Sequence, residues 1–227
     1  MKRILSKLNR VGHRMLLRNE TSKSDPKDYS AILGRGTVVP CQIEAYFLAL
    51  NRYLEDGDIV LDVGFGLGYG LNILAIKASE VSGVDIDPQA LNYCQGTVVG
   101  RNPRLKDLAL YDGYNIEYQD GYFYTVTCVD VLEHVEDYDQ LLQEMLRVTR
   151  KGVLISTPNR RPEYTNSDGS PKNYFHLREW SYDELNTILA KHGKVEWNFL
   201  DGPYEGPFIT RKVQSKSTIT LTPFLFR

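Results

Sequence analysis

A glycine-rich segment, LDVGFGLGYG at residues 61–70, is the feature that most limits how this chain can fold. Glycine at every second position is poor strand material, because glycine loses much backbone entropy on folding. The preceding DIVLDV is typical of a buried parallel strand, and the following LNILAIKAS has apolar residues at helical spacing. The glycines are therefore predicted to form a strand-to-helix turn, where the main chain can approach a ligand closely.

From residue 40 onwards, predicted strands and helices alternate. The strands are DIVLDV, VSGVD, LALYD, FYTVTCVD and GVLIS, and two more, KVEWNFL and TITLTPFLF, are predicted to pair antiparallel at one edge. In the last predicted helix, SYDELNTILAKHG, Ser181 is the expected N-cap, Glu184 completes a capping box and Gly193 ends the helix. The pattern predicts an α/β fold with a doubly wound, mostly parallel seven-stranded sheet and an antiparallel edge hairpin, a Rossmann-like architecture.

The composition of the 227-residue chain is that of an ordinary globular domain, with 42% hydrophobic and 25% charged residues. A net charge of −2 gives no reason to expect a nucleic acid partner. Cys41, Cys94 and Cys128 are too few and too scattered for a disulfide framework or a zinc site, and Cys128 is predicted to be a small core residue. No apolar run reaches the roughly 18 residues that span a bilayer. We expect a cytoplasmic protein.

The first 19 residues have a different character, because they carry six basic side chains and no acid. Ile4, Leu8, Val11 and Met15 fall on one face of a helix, so a basic amphipathic helix is predicted, followed by a polar linker up to residue 30. Such a helix could lie on an anionic membrane surface or on a partner. Packing against its own domain is the simpler interpretation. The predicted organisation is thus residues 1–30 as helix and linker, and residues 31–227 as one domain.

The glycine turn does not fit a dinucleotide-binding loop, because G-x-G-x-x-G would need a third glycine where Tyr69 or Leu71 stands. The order that does fit, D-x-G-x-G-x-G from Asp62, resembles the first motif of the class I S-adenosylmethionine-dependent methyltransferases. The resemblance implies that the turn lies under the methionine part of the cofactor and that Asp62 helps to fix its ammonium group. A buried acid without such a partner would be costly.

The resemblance continues in order along residues 40–200. VSGVDIDPQAL is similar to the family's second motif, which implies that Asp85 accepts the ribose hydroxyls and that Ile86 covers the adenine. The acid after the third strand is assigned to Asp112, with Asp120 as the competing choice. VDVLEHV, at residues 129–135, resembles the segment after the fourth strand in a group that includes quinone-biosynthesis O-methyltransferases and many small-molecule and sugar methyltransferases. The implied cofactor-binding residues are Asp62, Gly64, Phe65, Gly66, Gly68, Asp85, Ile86, Asp112, Gly113 and Asp130.

The acids and histidine of DVLEH allow two interpretations. Some quinone and RNA ribose O-methyltransferases place an acid, a glutamate and a histidine at similar spacing around a divalent metal, and two acids with an imidazole suit such an ion. LEHV also occurs in relatives that bind no metal, where Glu133 and His134 would cap or brace the next helix. The second interpretation is favoured, so no metal is predicted. His134 is the first candidate for a catalytic base, because an imidazole titrates near neutral pH.

A long polar loop after the fifth strand supplies the other candidates. Its end, NYFHLREWSYDEL, resembles a stretch that these methyltransferases fold over the substrate, although the family usually has Asn-Pro-x-His there. His176 is the second candidate base, and bracing of the loop by His176 and Glu179 is an equal alternative. The predicted substrate contacts are Asn159, Arg160 and Tyr174.

The function implied by the resemblance is S-adenosylmethionine-dependent methylation, directed to an oxygen of a small or carrier-linked metabolite. Two adjacent arginines, Arg160 and Arg161, suggest that the acceptor carries an anionic group. Two alternatives stay open. One is a methyltransferase-like scaffold that binds the cofactor without turnover, and the other is a nicotinamide-dependent oxidoreductase, which would lack its third glycine.

Overall fold

In the computed structural model, which describes residues 40–98, 102–200 and 220–227, strands and helices alternate along the chain. The strands are β1 Ile59–Val63, β2 Glu80–Asp85, β3 Leu105–Leu110, β4 Phe123–Val129, β5 Thr149–Pro158, β6 Val195–Leu200 and β7 Thr220–Phe226. The helices are α1 Pro40–Leu48, which continues as a π-helix over Ala49–Tyr53, α2 Tyr69–Leu74, α3 Pro88–Thr97, α4 Tyr138–Val148 and α5 Tyr182–Leu189. Short 3₁₀ turns lie at Leu132–His134 and Pro162–Tyr164. The helix and linker predicted for residues 1–30 lie outside the described residues.

The strands form one seven-stranded sheet in the order β3-β2-β1-β4-β5-β7-β6. The first five of these strands are parallel, and β7 runs antiparallel to both β5 and β6. This confirms the predicted fold class and the antiparallel pair at one edge. In the sheet, β1 has β2 on one side and β4 on the other, so the strand order reverses at β1. Ligands of open α/β sheets bind where the strand order reverses in this way, beyond the carboxyl ends of the strands.

Buried apolar side chains cover both faces of the sheet, as two clusters that include Phe224 and Phe123 respectively. Cys128 is fully buried on the Phe123 side, which confirms it as a core residue. Within the described residues, no helix combines the length and the apolar character needed to cross a bilayer.

Two of the differences from the predicted element boundaries have a clear structural cause. Strand β3 ends at Leu110, because the carboxylate of Asp112 accepts main-chain N–H groups at residues 114 and 115 and so turns the chain. Helix α5 begins with the predicted capping box but ends at Leu189, before Gly193. A Cβ at Gly193 would lie 2.4 Å from the carbonyl oxygen of Phe226, so this glycine permits close packing on β7 rather than ending the helix.

Candidate active site

The glycine turn joins β1 to α2 with its main chain in the left-handed region, at φ 74° for Gly64 and 49° for Gly66. Residues other than glycine rarely adopt such φ angles. A Cβ on Gly64 would lie 2.3 Å from the side chain of Val131, whereas a Cβ on Gly66 would meet no atom of the described residues within 4 Å. The Gly64 position is therefore packed against the segment after β4, whereas the side of Gly66 that would carry a Cβ is open among the described residues.

Asp85 stands at the carboxyl end of β2 and binds the glycine turn directly. Its carboxylate accepts the Gly66 N–H at 2.8 Å and the Asp87 N–H at 3.0 Å, and burial raises its pKa. The next side chain, Ile86, is 54% exposed and is the nearest neighbour that a Cβ on Gly113 would meet, at 3.7 Å. The structure thus brings an acceptor group and an apolar surface together beside the turn, as predicted for a ribose and an adenine.

The two candidate acids of the third-strand region lie at opposite ends of the parallel strands. Asp112 follows the carboxyl end of β3 and stabilises its own turn. Asp120 precedes β4 and pairs with Arg147 at 2.8 Å, so it lies at the amino end of that strand. Asp112 is therefore the acid on the predicted cofactor side. The side chain of Phe65 is 2% exposed and packs in the core, so the predicted contact of this residue with the cofactor would have to come from its main chain.

Asp62 is fully buried and has partners that the sequence did not reveal. The Tyr46 hydroxyl on α1 donates to both carboxylate oxygens at 3.1 Å, and the Thr127 hydroxyl on β4 donates at 2.7 Å. Burial nevertheless raises the pKa of Asp62 to about 7. A bound ammonium group would favour the ionised form, so the acid is suited to the predicted role but fixes α1 to the sheet as well.

This pKa predicts a pH-dependent cost in stability. The unfolded chain releases the Asp62 proton near the ordinary pKa of 3.8, whereas the folded chain keeps it until about pH 7. Stability therefore falls as the pH rises between these values. Asp62→Asn, which has no proton to release, is expected to raise the free energy of unfolding by about 2 kcal/mol at pH 8 and by clearly less at pH 5. Urea denaturation at both pH values checks this, with the exposed Asp56→Asn as control. An unchanged or lower stability at pH 8 would contradict it.

Asp130 follows β4 with a left-handed φ of 52°. Its carboxylate accepts hydrogen bonds from the Gln42 amide at 3.0 Å and from the Ser156 hydroxyl, and the Tyr69 hydroxyl donates in turn to Gln42. Burial raises the pKa of Asp130, which these donors oppose. Gln42 and Tyr46 are four residues apart on one face of α1, which is the only signal in the sequence that they act together.

The two predicted bases, His134 and His176, meet at the carboxyl end of β4. Their ring centroids are 4.9 Å apart. The loop that carries His176 is bound to the 3₁₀ turn: Nδ1 of His134 contacts the Phe175 carbonyl oxygen at 2.7 Å, and the Leu177 N–H donates to the carbonyl oxygen of Glu133 at 2.9 Å. Two segments that are far apart in the chain thus form one site.

Glu133 completes this cluster, and the predicted helix-capping role is wrong. The N-cap of α4 is Asp137, whose carboxylate accepts the Gln140 N–H at 3.0 Å. Glu133 is instead fully buried, and among the described residues no hydrogen bond of normal geometry reaches its carboxylate oxygens; the nearby Thr157 hydroxyl offsets the burial only in part. Burial, reinforced by the charge of Asp130, raises its pKa well above the ordinary value. His134 braces the loop that carries His176, whereas the alternative for that residue predicted bracing of the next helix.

The cluster has the composition of a cation site. A carboxylate oxygen of Glu133 and one nitrogen each of His134 and His176 lie within 4.8 Å of one another. A buried acid without a partner is costly unless it is paired or coordinates a metal, and nitrogen and oxygen donors suit a hard or borderline divalent cation. The residues therefore fit a cation, in contrast with the metal-free site favoured by the sequence.

The predicted substrate residues line the loop after β5. Asn159 is buried and forms an isolated parallel β-bridge with Trp180, whereas Tyr174 is 77% exposed. Arg160 pairs with Glu184 at 2.6 Å, and Arg161 pairs with Glu163 at 3.1 Å. Both arginines thus have carboxylate partners within the chain, and their contact with an anionic acceptor stays a prediction.

Comparison with known proteins identifies a methyltransferase domain in this chain. Residues 61–156, which run from β1 to β5, match the family model described as methyltransferase domain. The architecture is similar to that of an S-adenosylmethionine-dependent methyltransferase from Aquifex aeolicus, with a TM-score of 0.64 at 17% identity over 90% of this chain and 99% of that one.

Two relatives found by sequence are informative. A Mycobacterium tuberculosis protein named as a probable S-adenosylmethionine-dependent methyltransferase is 33% identical over 185 residues, which cover 78% of this chain. The match spans 65% of that relative, just under two thirds of its length. A ubiquinone biosynthesis O-methyltransferase of Albidiferax ferrireducens is 32% identical over 47% of this chain and 44% of its own. Together, the domain match, these relatives and the shared fold support a class I S-adenosylmethionine-dependent methyltransferase.

Proposed function

We propose that this protein transfers the methyl group of S-adenosylmethionine to a hydroxyl oxygen of a small or carrier-linked metabolite. The observation that carries the proposal is the cluster of Glu133, His134 and His176. The cluster lies beside the glycine turn, because Val131, two residues before Glu133, packs on Gly64. Methyl transfer from a sulfonium is an in-line displacement, so the tasks of the protein are to align the acceptor oxygen and to manage its proton.

The two imidazoles are suited to the proton. Both rings use Nδ1 for a contact with the loop that carries His176: His134 contacts the Phe175 carbonyl oxygen and His176 contacts the Glu179 carboxylate. Nε2 of His134 remains for an acceptor, whereas Nε2 of His176 contacts the amide of the exposed Asn173, which an acceptor would have to replace. Burial lowers the pKa of His134, so this ring is neutral at pH 7 and able to accept a proton or a ligand.

Glu133, His134 and His176 would also hold a divalent cation. Glu133 supplies the negative charge and the two rings supply neutral nitrogen donors. A bound cation would lower the pKa of a coordinated hydroxyl group and orient it. The exposed aromatic side chains of Tyr174 and Phe175 would then contact the body of the acceptor.

The names of the relatives support a small acceptor but differ on the atom that is methylated. The ubiquinone relative is an O-methyltransferase, whereas an ajmaline N-methyltransferase of Rauvolfia serpentina is 29% identical over 42% of this chain. The cluster favours oxygen, because removal of a hydroxyl proton needs a base or a cation, whereas a neutral amine already has a lone pair.

The test is a methyl-transfer assay with the full chain and labelled S-adenosylmethionine. A panel of phenols, catechols, sugars and amines is offered, each with EDTA or with Mg²⁺ or Mn²⁺. We expect an O-methyl product, formed at least about 10-fold faster with a cation than with EDTA. Methylation of amines alone would contradict the oxygen acceptor. Equal rates with EDTA and with a cation would show that no cation takes part in the reaction. The imidazoles would then act as the bases.

A further inference from the structure

Glu179 is a buried carboxylate whose position calls for a reason. Its side chain is 5% exposed, and its Oε1 lies 2.6 Å from Nδ1 of His176. Among the described ion pairs, this imidazole is the partner of Glu179. A buried acid paired in this way is often no more stable than an apolar side chain of similar volume. The pair is therefore better explained by its effect on the imidazole than by a gain in stability.

Two neighbours independently indicate the tautomer of His176. A carboxylate only accepts hydrogen bonds, so the contact with Glu179 requires the proton on Nδ1. On the other side of the ring, the amide nitrogen of Asn173 lies 2.8 Å from Nε2. The orientation of this amide is fixed, because its oxygen accepts the Phe175 N–H at 3.1 Å. Asn173 therefore donates to Nε2, which must carry the lone pair.

We propose that Glu179 is a positioning residue that holds His176 as the Nδ1–H tautomer and so directs the Nε2 lone pair to the acceptor site. Asn173 is exposed, and its amide occupies this lone pair until an acceptor hydroxyl or a cation replaces it. What then binds Nε2 rests on the proposed function, but the tautomer itself does not. The other tautomer, with its proton on Nε2, would present an N–H where the site needs a lone pair.

The tautomer is measured by ¹⁵N NMR of the full chain labelled at histidine, at pH 8. The chain has four histidines, and the His176 signals are assigned with His176→Gln. Asn173→Ala removes the amide that donates to Nε2, so Glu179 alone must then hold the ring. We expect the Nδ1–H tautomer in the parent and in Asn173→Ala. We expect loss of this preference in Asn173→Ala/Glu179→Leu, towards the Nε2–H form that imidazole favours in water.

A matched control is available on the surface. Asp139 and Nε2 of His192 form another carboxylate–imidazole pair, at 2.9 Å. Asp139→Asn should alter the His192 signals and leave those of His176 unchanged. An Nε2–H tautomer of His176 in the parent would overturn the proposal even if no variant folded. A change of tautomer in Asn173→Ala alone would also overturn it, because Asn173 and not Glu179 would then hold the ring.

A second readout uses Mn²⁺ alone as the probe, followed by calorimetry. Glu179→Leu is expected to weaken Mn²⁺ binding about 10- to 100-fold, the usual effect of losing the carboxylate that orients a histidine ligand. Asn173→Ala should not weaken it, and the affinity for S-adenosylhomocysteine should stay within about two-fold in both variants. Unchanged Mn²⁺ affinity in Glu179→Leu would overturn the positioning role. Absence of Mn²⁺ binding in the parent would count against the cation of the proposed function, and the NMR result would still decide on Glu179.

Discussion

Glu133→Gln is expected to lower methyl transfer at least about 100-fold while leaving the affinity for S-adenosylhomocysteine within about two-fold of the parent. The substitution keeps the shape of the side chain and removes its charge. No hydrogen bond joins the Glu133 carboxylate to the glycine turn or to Asp85 within the described part of the chain, so the cofactor site should be unaffected. Turnover is measured with the acceptor found in the assay above, and cofactor affinity by calorimetry.

Glu133→Gln should raise the stability of the protein although it lowers methyl transfer. A fully buried carboxylate without a hydrogen-bond partner costs free energy, and the neutral amide costs less. Glu133→Gln is therefore expected to raise the free energy of unfolding by about 1 to 3 kcal/mol at pH 8. A gain in stability with a loss of turnover is typical of a residue kept for function. Glu136→Gln, an exposed acid just beyond the cluster, is the control. Full turnover in Glu133→Gln, or loss of both stability and turnover, would contradict the assigned role.

Asp85→Ala is expected to weaken the binding of S-adenosylmethionine by about 1.5 to 3 kcal/mol, or roughly 10- to 150-fold. The variant loses the acceptor predicted for the ribose, and it also loses the hydrogen bond from the Gly66 N–H. The glycine turn should then be less ordered before the cofactor binds. Calorimetry measures the change, and Asp107→Ala, which removes an exposed acid from β3, is the control. An unchanged dissociation constant would show that the ribose is held elsewhere.

The positions of Asp85 and Asp112 could be predicted from the sequence because they follow from local patterns. Each acid comes at the end of a recognisable strand, and parallel strands bring their carboxyl ends to one edge of the sheet. The glycine turn could be predicted for the same reason, since its angles exclude most other residues.

The contacts that complete the site could not be predicted in this way. Tyr46 meets Asp62 because α1 docks across the sheet, and periodicity gives the buried face of a helix but not the residue that it will meet. His134 and His176 meet because a long loop returns to the end of β4, and the path of such a loop has no periodic pattern. For the same reason, the sequence could not distinguish a helix-capping Glu133 from one that faces two imidazoles.

The central claim is that the glycine turn holds S-adenosylmethionine, and calorimetry on the full chain tests it most directly. The protein is titrated in turn with S-adenosylmethionine, S-adenosylhomocysteine and NAD. We predict that the first two bind to one site per chain and that both bind more weakly to Asp85→Ala, whereas NAD does not bind. Absence of binding by either S-adenosyl compound at millimolar concentration, or binding of NAD alone, would contradict the account.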